Sequence, residues 1–244
     1  MELSDKLLKR MEKAYSVAVL TGAGISVASG VPTFRGKDGI WQKFKPEELA
    51  NYNAFTKNPK LVWEWYEWRK NLIKAVRPNP AHYALVDLEN IYEDFAVITQ
   101  NVDNLHFLAG SRKVIELHGN IMRSKCVKCS KPFKGMFNLG QGIPKCPACG
   151  GMIRPDVVWF GENLPEAEMT AAQELAMRCE VFLSIGTSGL VEPAASLPYM
   201  AKANGAYLVE INTEKTPLTG SVDEFIQQSA DKILPELIVR LQDS

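Results

Sequence analysis

Short apolar runs alternate along the chain with stretches whose apolar residues recur at helical spacing. Residues 3–14 place leucine and methionine at positions i, i+4, i+5 and i+8, which predicts an amphipathic helix. The apolar run at residues 16–20 ends in a glycine-rich turn, and this pattern predicts a buried parallel strand. Further short strands are predicted at residues 95–98, 114–117, 157–160, 181–185 and 206–211. Helices are predicted at about 59–76, 79–90, 165–178, 193–204 and from 229 almost to the end.

Strands that alternate with helices in this way predict an α/β fold on a doubly wound, Rossmann-like parallel sheet. The segment at about 120–155 interrupts the pattern, because its composition shifts and it contains two cysteine pairs. A length of 244 residues favours one large core with a small added module over two full domains. We therefore expect a single domain over residues 1–244. Its sheet is expected from about 1–119 and 156–244, with 120–155 as an insertion.

Composition and charge limit the classes of partner. The chain has 46% hydrophobic and 23% charged residues, which is ordinary for a soluble globular protein. Lys+Arg and Asp+Glu both number 28, so no overall field attracts nucleic acid or a membrane. No apolar run approaches the ~18 residues that span a bilayer, and the charged N-terminal segment shows no signal-peptide pattern. We expect a cytoplasmic protein that selects its partners at a specific site.

Four of the five cysteines have the spacing of a metal site. Two Cys-x-x-Cys pairs are separated by 16 residues, which is typical of a zinc ribbon. The predicted ligands are Cys126, Cys129, Cys146 and Cys149. Four thiolates complete a tetrahedral shell, so the predicted Zn²⁺ is structural and leaves no position for a catalytic water. The fifth cysteine, Cys179, precedes an apolar run and is predicted to be a buried, inert thiol.

The predicted ribbon is basic. Residues 119–153 contain six Lys or Arg and no Asp or Glu. Such a patch can bind nucleic acid, but cations beside a zinc centre with four thiolates also offset its negative charge. We favour the second interpretation and expect no direct nucleic-acid partner.

A glycine turn follows the first predicted strand, with glycine at positions 22 and 24. Glycine there lets the backbone close tightly and approach a pyrophosphate. The turn lacks the third glycine of the usual dinucleotide fingerprint, since position 27 is valine, and no clear acidic residue ends the second strand. Such a turn is equally typical of a purely structural role. The polar loop at residues 29–36 carries an aromatic residue and an arginine, which suits a lid over a phosphate-bearing ligand.

Polar side chains follow the strand predicted at residues 95–98. Gln100, Asn101 and Asp103 come directly after it, where the carboxyl ends of parallel strands face a ligand crevice. These side chains suit the recognition of a ribose or a carboxamide. The alternative is a polar turn in which Asp103 caps the next helix.

Three histidines are candidates for a general base. His118 follows the strand predicted at 114–117 and precedes a glycine, and it is the one that we select. His82 lies within a predicted helix, and His106 lies three residues beyond Asp103. We expect packing or surface roles for these two.

Seven separated motifs together resemble the sirtuin family. They are Gly22-Ala-Gly-Ile-Ser-Val-Ala-Ser-Gly-Val-Pro-Thr-Phe-Arg35, Thr99-Gln-Asn-Val-Asp103, Leu117-His-Gly119, the four cysteines, Val158-Trp-Phe-Gly-Glu162, Gly186-Thr-Ser188 and Ile211-Asn212. They occur in the order of the family and cover nearly the whole chain. The resemblance implies an NAD-dependent protein-lysine deacylase that consumes NAD as a co-substrate and acts on acylated-lysine proteins or peptides.

The resemblance also implies roles for individual residues, with His118 and Asn101 as the catalytic pair. The implied NAD contacts are Gly22, Ala23, Gly24, Ser26, Pro32, Thr33, Phe34, Arg35, Trp41, Gln100, Asn101, Asp103, His118, Gly186, Thr187, Ser188, Asn212, Thr213 and Ala230. The acyl-lysine oxygen would attack the ribose anomeric carbon and expel nicotinamide, which gives an alkylimidate. His118 would act as general base so that the 2′-hydroxyl attacks the imidate. Water would then release free lysine and 2′-O-acyl-ADP-ribose.

The peptide is implied to bind as an added strand, which reads backbone more than side chains. The implied contacts lie in two segments, namely Val158, Phe160, Gly161 and Glu162, and Gly189, Leu190 and Val191.

The choice of acyl group is implied by a pair on the helix predicted at 59–76. Tyr66 and Arg69 are three residues apart, so their side chains emerge from one face. A bare Tyr-x-x-Arg is commonly a helix whose arginine reaches out to solvent. Within the sirtuin resemblance the pair matches the subclass that accepts acidic acyl groups (class III), and Ala50 matches its roomy acyl pocket. This implies desuccinylase and demalonylase activity as well as deacetylase activity.

Two other functions stay open as alternatives. A protein ADP-ribosyltransferase would use the same nicotinamide-expelling step and deliver ADP-ribose to another acceptor. A non-catalytic NAD-sensing or zinc-ribbon binding module is the second alternative. Asn101, Asp103 and His118 argue against that module, because a pure binder has no evident need for a base beside the ribose.

Overall fold

A six-stranded sheet, parallel throughout, forms the centre of the protein. The computed structural model describes residues 3–33, 49–134, 137 and 139–243. The strands of this sheet are β1 (Ser16–Thr21), β2 (Asp94–Thr99), β3 (Val114–Glu116), β7 (Val181–Ile185), β8 (Tyr207–Asn212) and β9 (Glu224–Gln227). Their order is β3-β2-β1-β7-β8-β9, which is the doubly wound Rossmann arrangement. The predicted fold class is therefore confirmed.

Helices cover both faces of this sheet. In the described residues they are α1 (Asp5–Lys13), α2 (Tyr52–Lys57), α3 (Pro59–Ala75), α4 (Pro80–Ile91), α5 (Leu105–Ala109), α6 (Glu166–Arg178), α7 (Leu197–Ala203) and α8 (Ala230–Gln242). Helices α1, α4 and α8 share one core with the sheet, and α6 and α7 share a second core with its opposite face. All six residues of β1 are buried, because the central strand has a helix layer on each side.

A second sheet of three antiparallel strands lies in the segment predicted as the insertion. It consists of β4 (Gly119–Cys126), β5 (Pro132–Lys134) and β6 (Ile153–Val157), in the order β5-β4-β6. Helices α2 and α3 pack in the same core as this sheet, through Phe55, Val62 and Trp63. The domain boundaries stay predictions, but this packing assigns residues 49–73 to the core of the small sheet.

The strand predicted at residues 157–160 is wrong. Only Val157 is in a strand, and that strand belongs to the small sheet. The next three residues form a loop because their N–H groups have irregular partners. Val158 donates to the His118 carbonyl (2.9 Å), and Phe160 donates to the Ala50 carbonyl (2.9 Å). Trp159 donates to the Glu162 side chain (2.8 Å).

Outside the small sheet, the hydrophobic pattern missed β9 and the short helices α2 and α5 among the described residues. Each has only four to six residues, which is too short for a periodicity to be distinguished. No helix within the described ranges is long and apolar enough to cross a membrane.

The loops that follow β1 and β7 contact each other backbone to backbone. A Cβ at position 22 would lie 2.7 Å from the Gly186 carbonyl oxygen, and one at position 24 would lie 2.6 Å from the Gly186 Cα. Gly186 has a φ of +60°, a conformation that side chains disfavour. Gly24 N donates to the Gly186 carbonyl (2.9 Å). The glycines of the first turn are thus required by contact with protein backbone, whatever ligand approaches them.

We predict that Gly186→Ala lowers the free energy of unfolding by about 1–3 kcal/mol, because it adds backbone strain and a clash with the first loop. Gly220→Ala is the matched control, since nothing lies within 4 Å of its Cβ position and its φ is unstrained. The control is expected to change stability by no more than about 0.5 kcal/mol. Urea unfolding of the three proteins measures this, and equal stabilities for both variants would contradict it.

Candidate active site

The carboxyl edge of the large sheet holds a buried polar cluster between the loops that follow β1 and β2. The side-chain nitrogen of Asn101 donates to the Gly22 carbonyl (3.0 Å) and lies 3.3 Å from the Ser26 hydroxyl. The Ser26 hydroxyl donates to the Asp103 carboxylate (2.7 Å). Asn101 and Asp103 are only 6% and 5% exposed, so these bonds hold their side chains in fixed positions.

Asp103 has a structural role as well as a place in this cluster. Its second carboxylate oxygen accepts a hydrogen bond from the Leu105 N–H at the start of α5 (3.0 Å). The N-cap residue of α5 is Asn104, so the capping alternative is correct only in that Asp103 binds the first N–H of the helix. Burial raises the pKa of Asp103, and the Leu105 N–H, the Ser26 hydroxyl and the charge of Arg69 oppose that rise.

His118 lies at the end of β3, where its ring is half-buried. Its Nδ1 is 2.9 Å from the Gln100 backbone carbonyl, and a carbonyl can only accept. Nδ1 therefore carries the proton, and Nε2 is the basic atom of the ring. Burial lowers the pKa of His118 below 6.5, although the bond to Gln100 partly opposes this. The lowered pKa favours the neutral imidazole, whose Nε2 can accept a proton.

The other two histidines are core residues, as predicted. His82 is fully buried and His106 is 2% exposed, and their ring centroids are 5.1 Å apart. Burial lowers the pKa of His82 to about 4 and that of His106 to about 3. Neither ring can exchange protons with a ligand in the crevice without opening the core.

The loops after β7 and β8 complete this edge of the sheet. The Asn212 side-chain N–H donates to the Thr187 carbonyl (2.8 Å), and its side-chain oxygen accepts from the Thr213 N–H (2.9 Å). Gly186 N–H donates to the Ile211 carbonyl (3.0 Å), which joins the two loops. Ala230 is the first residue of α8, which follows the edge strand β9. These loops therefore form one continuous rim with the turn at Gly22.

The predicted NAD contacts divide into those that the structure places and those that it does not describe. Pro32 and Thr33 follow the short 3₁₀ helix at Ala23–Ser29 and are half-buried. Phe34, Arg35 and Trp41 lie outside the described residues. The individual NAD roles stay predictions.

The two segments predicted to hold a peptide each present one large apolar side chain. Phe160 is 48% exposed and Leu190 is 59% exposed. Each lies beside a glycine with positive φ, Gly161 in one case and Gly189 in the other. Glu162 is not available as a surface group, because its carboxylate forms an ion pair with the buried Arg154 guanidinium.

Tyr66 and Arg69 both lie inside the core of the small sheet, with exposures of 2% and 6%. Arg69 does not reach out to solvent, so the alternative of a solvent-reaching arginine is wrong. Its guanidinium carbon lies 4.9 Å from the centre of the Trp65 ring. Burial lowers the pKa of Arg69, and the Tyr66 phenol and the Asp103 carboxylate oppose that change. Ala50 is buried in the same core.

The four predicted zinc ligands converge in the small sheet. All four sulfur atoms lie within 4.8 Å of one another. The Cys126–Cys149 and Cys129–Cys146 sulfur distances are 3.5 and 3.7 Å. A tetrahedral Zn²⁺ with Zn–S bonds of about 2.3 Å requires sulfur distances of about 3.8 Å. The cluster therefore fits one Zn²⁺ with a closed shell.

A further feature of the cluster agrees with a closely packed metal site. A Cβ at Gly151 would lie 3.0 Å from the Cys126 sulfur, so only glycine fits closely beside it.

Within the described part of the ribbon, only some of the basic residues are free of other ion pairs and so able to offset the negative charge of a zinc–thiolate centre. Arg123 pairs with Glu116 (2.7 Å) and Asp156 (3.2 Å), and Lys125 also pairs with Asp156 (3.1 Å). Both carboxylates lie outside residues 119–153, the segment that contains no Asp or Glu. The pairing reduces the net positive charge of this patch.

Two residues beside the predicted site were not identified from sequence. Arg154 places its guanidinium carbon 3.2 Å from the centre of the Trp159 ring, and Trp159 donates to Tyr66. Trp159 lay within a motif of the resemblance, but nothing in the sequence near Arg154 indicated a role.

Comparison with known proteins places the chain in a family. The sequence model described as "Sir2 family" matches residues 22–193. A relative from Pyrococcus abyssi, named NAD-dependent protein deacylase, is 54% identical over 89% of this chain and 90% of its own length. A relative of the same name from Leptospira interrogans is 45% identical over 99% of each chain. The chain belongs to the Sir2 family, which confirms the sirtuin resemblance.

Solved structures agree with this assignment. A Sir2 homolog–NAD complex superposes with a TM-score of 0.93 at 43% identity, over 99% of this chain and 95% of that one. A Sir2–p53 peptide–NAD⁺ complex superposes with a TM-score of 0.89 at 32% identity, over the full length of both chains.

We predict about one tightly bound Zn²⁺ per chain in the purified protein, and unfolding or aggregation when a chelator removes it. Cys126→Ser is expected to reduce stability first and activity only as a consequence, because the metal has no open coordination position. Cys179→Ser, at the buried thiol outside the cluster, is the control and should retain the metal. Metal analysis together with thermal unfolding measures both effects, and a freshly purified protein without zinc would contradict the assignment.

Proposed function

We propose that this chain is an NAD-dependent protein-lysine deacylase that removes acetyl, succinyl and malonyl groups. The products would be nicotinamide, 2′-O-acyl-ADP-ribose and free lysine. The observation that carries the proposal is the His118 ring, whose Nδ1–H is held by the Gln100 carbonyl at the same sheet edge as the buried Asn101, Ser26 and Asp103 cluster. The names of the relatives, NAD-dependent protein deacylase, support it.

The rim of loops would hold NAD. Ala23, Thr187, Ser188 and Asn212 would contact its phosphates and adenosine half, and Gln100, Asn101 and Asp103 its nicotinamide ribose. NAD supplies the ribose whose bond to nicotinamide is broken. The fit rests on the buried amide, hydroxyl and carboxylate of Asn101, Ser26 and Asp103, since these groups suit hydroxyl and carboxamide partners.

The residues of the cluster would divide the catalytic work. The Gln100 carbonyl holds the His118 ring by its Nδ1–H, so that Nε2 can accept the proton of a ribose hydroxyl. Asn101 is held by the Gly22 carbonyl through its amide N–H, so its side-chain oxygen serves as an acceptor for substrate. Transfer of the hydroxyl proton to Nε2 would make the ribose hydroxyl a stronger nucleophile.

An acylated peptide would add as a strand beside the segment from Val158 to Glu162. The N–H groups of Val158, Trp159 and Phe160 are all bonded inside the protein, so a peptide would pair with carbonyl oxygens of this segment and with the backbone that follows Phe160. The exposed Phe160 and Leu190 would line the groove on its two sides. The solved Sir2–p53 peptide–NAD⁺ complex supports a peptide partner.

Acidic acyl groups would end at Tyr66 and Arg69. A buried guanidinium and a buried phenol suit a carboxylate far better than a methyl group. Burial raises the pKa of Tyr66, so the phenol keeps the proton that it would donate. Mass spectrometry of one acyl-peptide panel incubated with NAD tests the proposal, and ADP-ribose label that stays on protein would instead indicate a transferase.

We predict that His118→Ala lowers kcat for deacylation by about 10²–10⁴-fold, since the variant lacks the proton acceptor. NAD affinity is expected to stay within a few fold, because the Asn101 cluster is unchanged. His82→Asn is not a suitable control, because that imidazole accepts from the N–H of Asn79 in the core. The control is instead the unfolding transition of His118→Ala, which should match that of the wild type. Near-normal turnover in this variant would show that His118 is not the base.

We predict that Arg69→Met lowers kcat/KM for succinyl-lysine by about 10–150-fold, which corresponds to about 1.5–3 kcal/mol for one charged hydrogen bond. Deacetylation of the same peptide should be spared or improved. Arg69→Lys is the matched variant, since it keeps the charge but not the planar fork, and an intermediate loss is expected. An equal loss on both substrates would mean that Arg69 only stabilises the fold.

A further inference from the structure

Trp159 is buried, with 2% of its surface exposed. Its indole N–H donates one hydrogen bond within the protein. Trp159 lies in the loop after β6 and donates to the Tyr66 hydroxyl oxygen on α3 (2.9 Å). The two rings also approach each other, with their centroids 6.5 Å apart. The contact joins residues that are 93 positions apart in the chain.

This hydrogen bond determines whether the Tyr66 hydroxyl can accept or donate a further hydrogen bond. An indole N–H can only donate, so the hydroxyl oxygen must be the acceptor. The phenol then has one proton left to donate, directed away from Trp159. Among residues 3–33, 49–134, 137 and 139–243, the structure shows no acceptor for that proton. Burial raises the pKa of Tyr66, which keeps the proton on the phenol at neutral pH.

Trp159 is itself held from several directions. The Arg154 guanidinium lies over its ring, and the Phe55 ring packs against it with centroids 5.2 Å apart. The Glu162 carboxylate accepts from the Trp159 backbone N–H (2.8 Å) and also pairs with Arg154. Arg154 in turn donates to the Val157 carbonyl (2.8 Å). The indole N–H therefore has a fixed position, and it can impose that position on the hydroxyl.

We propose that Trp159 is a specificity-positioning residue, whose indole N–H fixes the direction in which Tyr66 donates and so favours acyl groups that end in a carboxylate. The inference rests on the proposed function, because it takes Tyr66 and Arg69 as the acidic end of the acyl pocket. The Trp159 side chain itself would touch no substrate. It acts through the Tyr66 hydroxyl, and an acetyl group has no distal acceptor that would respond to it.

Trp159→Phe removes the N–H and keeps an aromatic ring in the core. One neutral hydrogen bond is expected to change the ratio of kcat/KM on succinyl-lysine to that on acetyl-lysine by about 2- to 12-fold. Trp63→Phe is the matched control. Trp63 is also fully buried in the same core, but its N–H donates to the Ile153 carbonyl (3.0 Å) and not to Tyr66. The control should leave the ratio unchanged, whatever stability it loses.

A double-mutant cycle separates positioning from packing. In the Tyr66→Phe background, Trp159→Phe should no longer change the ratio, because the hydroxyl that it orients is absent. If Trp159→Phe does not fold, 3-benzothienylalanine placed at position 159 by nonsense suppression replaces it. That residue keeps the bicyclic ring, lacks the N–H and should give the same shift in the ratio.

The outcomes are distinguishable. An unchanged ratio in Trp159→Phe or in the benzothienyl protein, or an equal shift in the Tyr66→Phe background, overturns the role of Trp159 alone. A wild-type protein that removes acetyl but not succinyl or malonyl groups overturns the acidic part of the proposed function, and the role of Trp159 with it. A shift that requires the Tyr66 hydroxyl and that Trp63→Phe does not produce supports the inference.

Discussion

The backbone contact between the loops after β1 and β7 is the constraint on which the site depends. Gly22, Gly24 and Gly186 approach so closely that no Cβ fits between the loops. Because of this contact, the Gly22 carbonyl is in place to accept from Asn101, and Gly186 is in place to bond to Ile211. The need for glycine in such turns is often attributed to the close approach of a ligand. Here the first requirement is that two strands of the central sheet end against each other.

The proposed site draws on side chains from two hydrophobic cores. The polar cluster of Asn101, Ser26 and Asp103 belongs to the edge of the large sheet, while Tyr66 and Arg69 lie in the core of the small sheet. The charges of Arg69 and Asp103 stabilise each other across this junction, since each opposes the effect of burial on the pKa of the other. The relative position of the two cores therefore sets the electrostatics of the crevice.

Environment separates three chemically identical imidazoles. His82 and His106 are enclosed, and burial lowers their pKa to about 4 and about 3. His118 is half-buried beyond the end of β3, where the Gln100 carbonyl holds its Nδ1–H and leaves Nε2 as the basic nitrogen. A general base needs a ring that is held in one orientation and is also partly exposed, and His118 meets both conditions.

The sequence by itself determined the features that depend on local order. The alternation of short apolar runs and helical periodicity predicted the doubly wound sheet, and the cysteine spacing predicted the four-sulfur cluster. The positions of Asn101, Asp103 and His118 after strand ends predicted that they lie along one edge of the sheet, because the carboxyl ends of parallel strands lie together. Tertiary structure alone decided which distant groups touch. Helix α3 packs in the core of the small sheet, and Val158–Phe160 form a loop where the pattern predicted a strand. Trp159 contacts Tyr66, which lies 93 positions away in the chain. No periodicity records such contacts, since they follow from how two cores pack and not from the order of neighbouring residues.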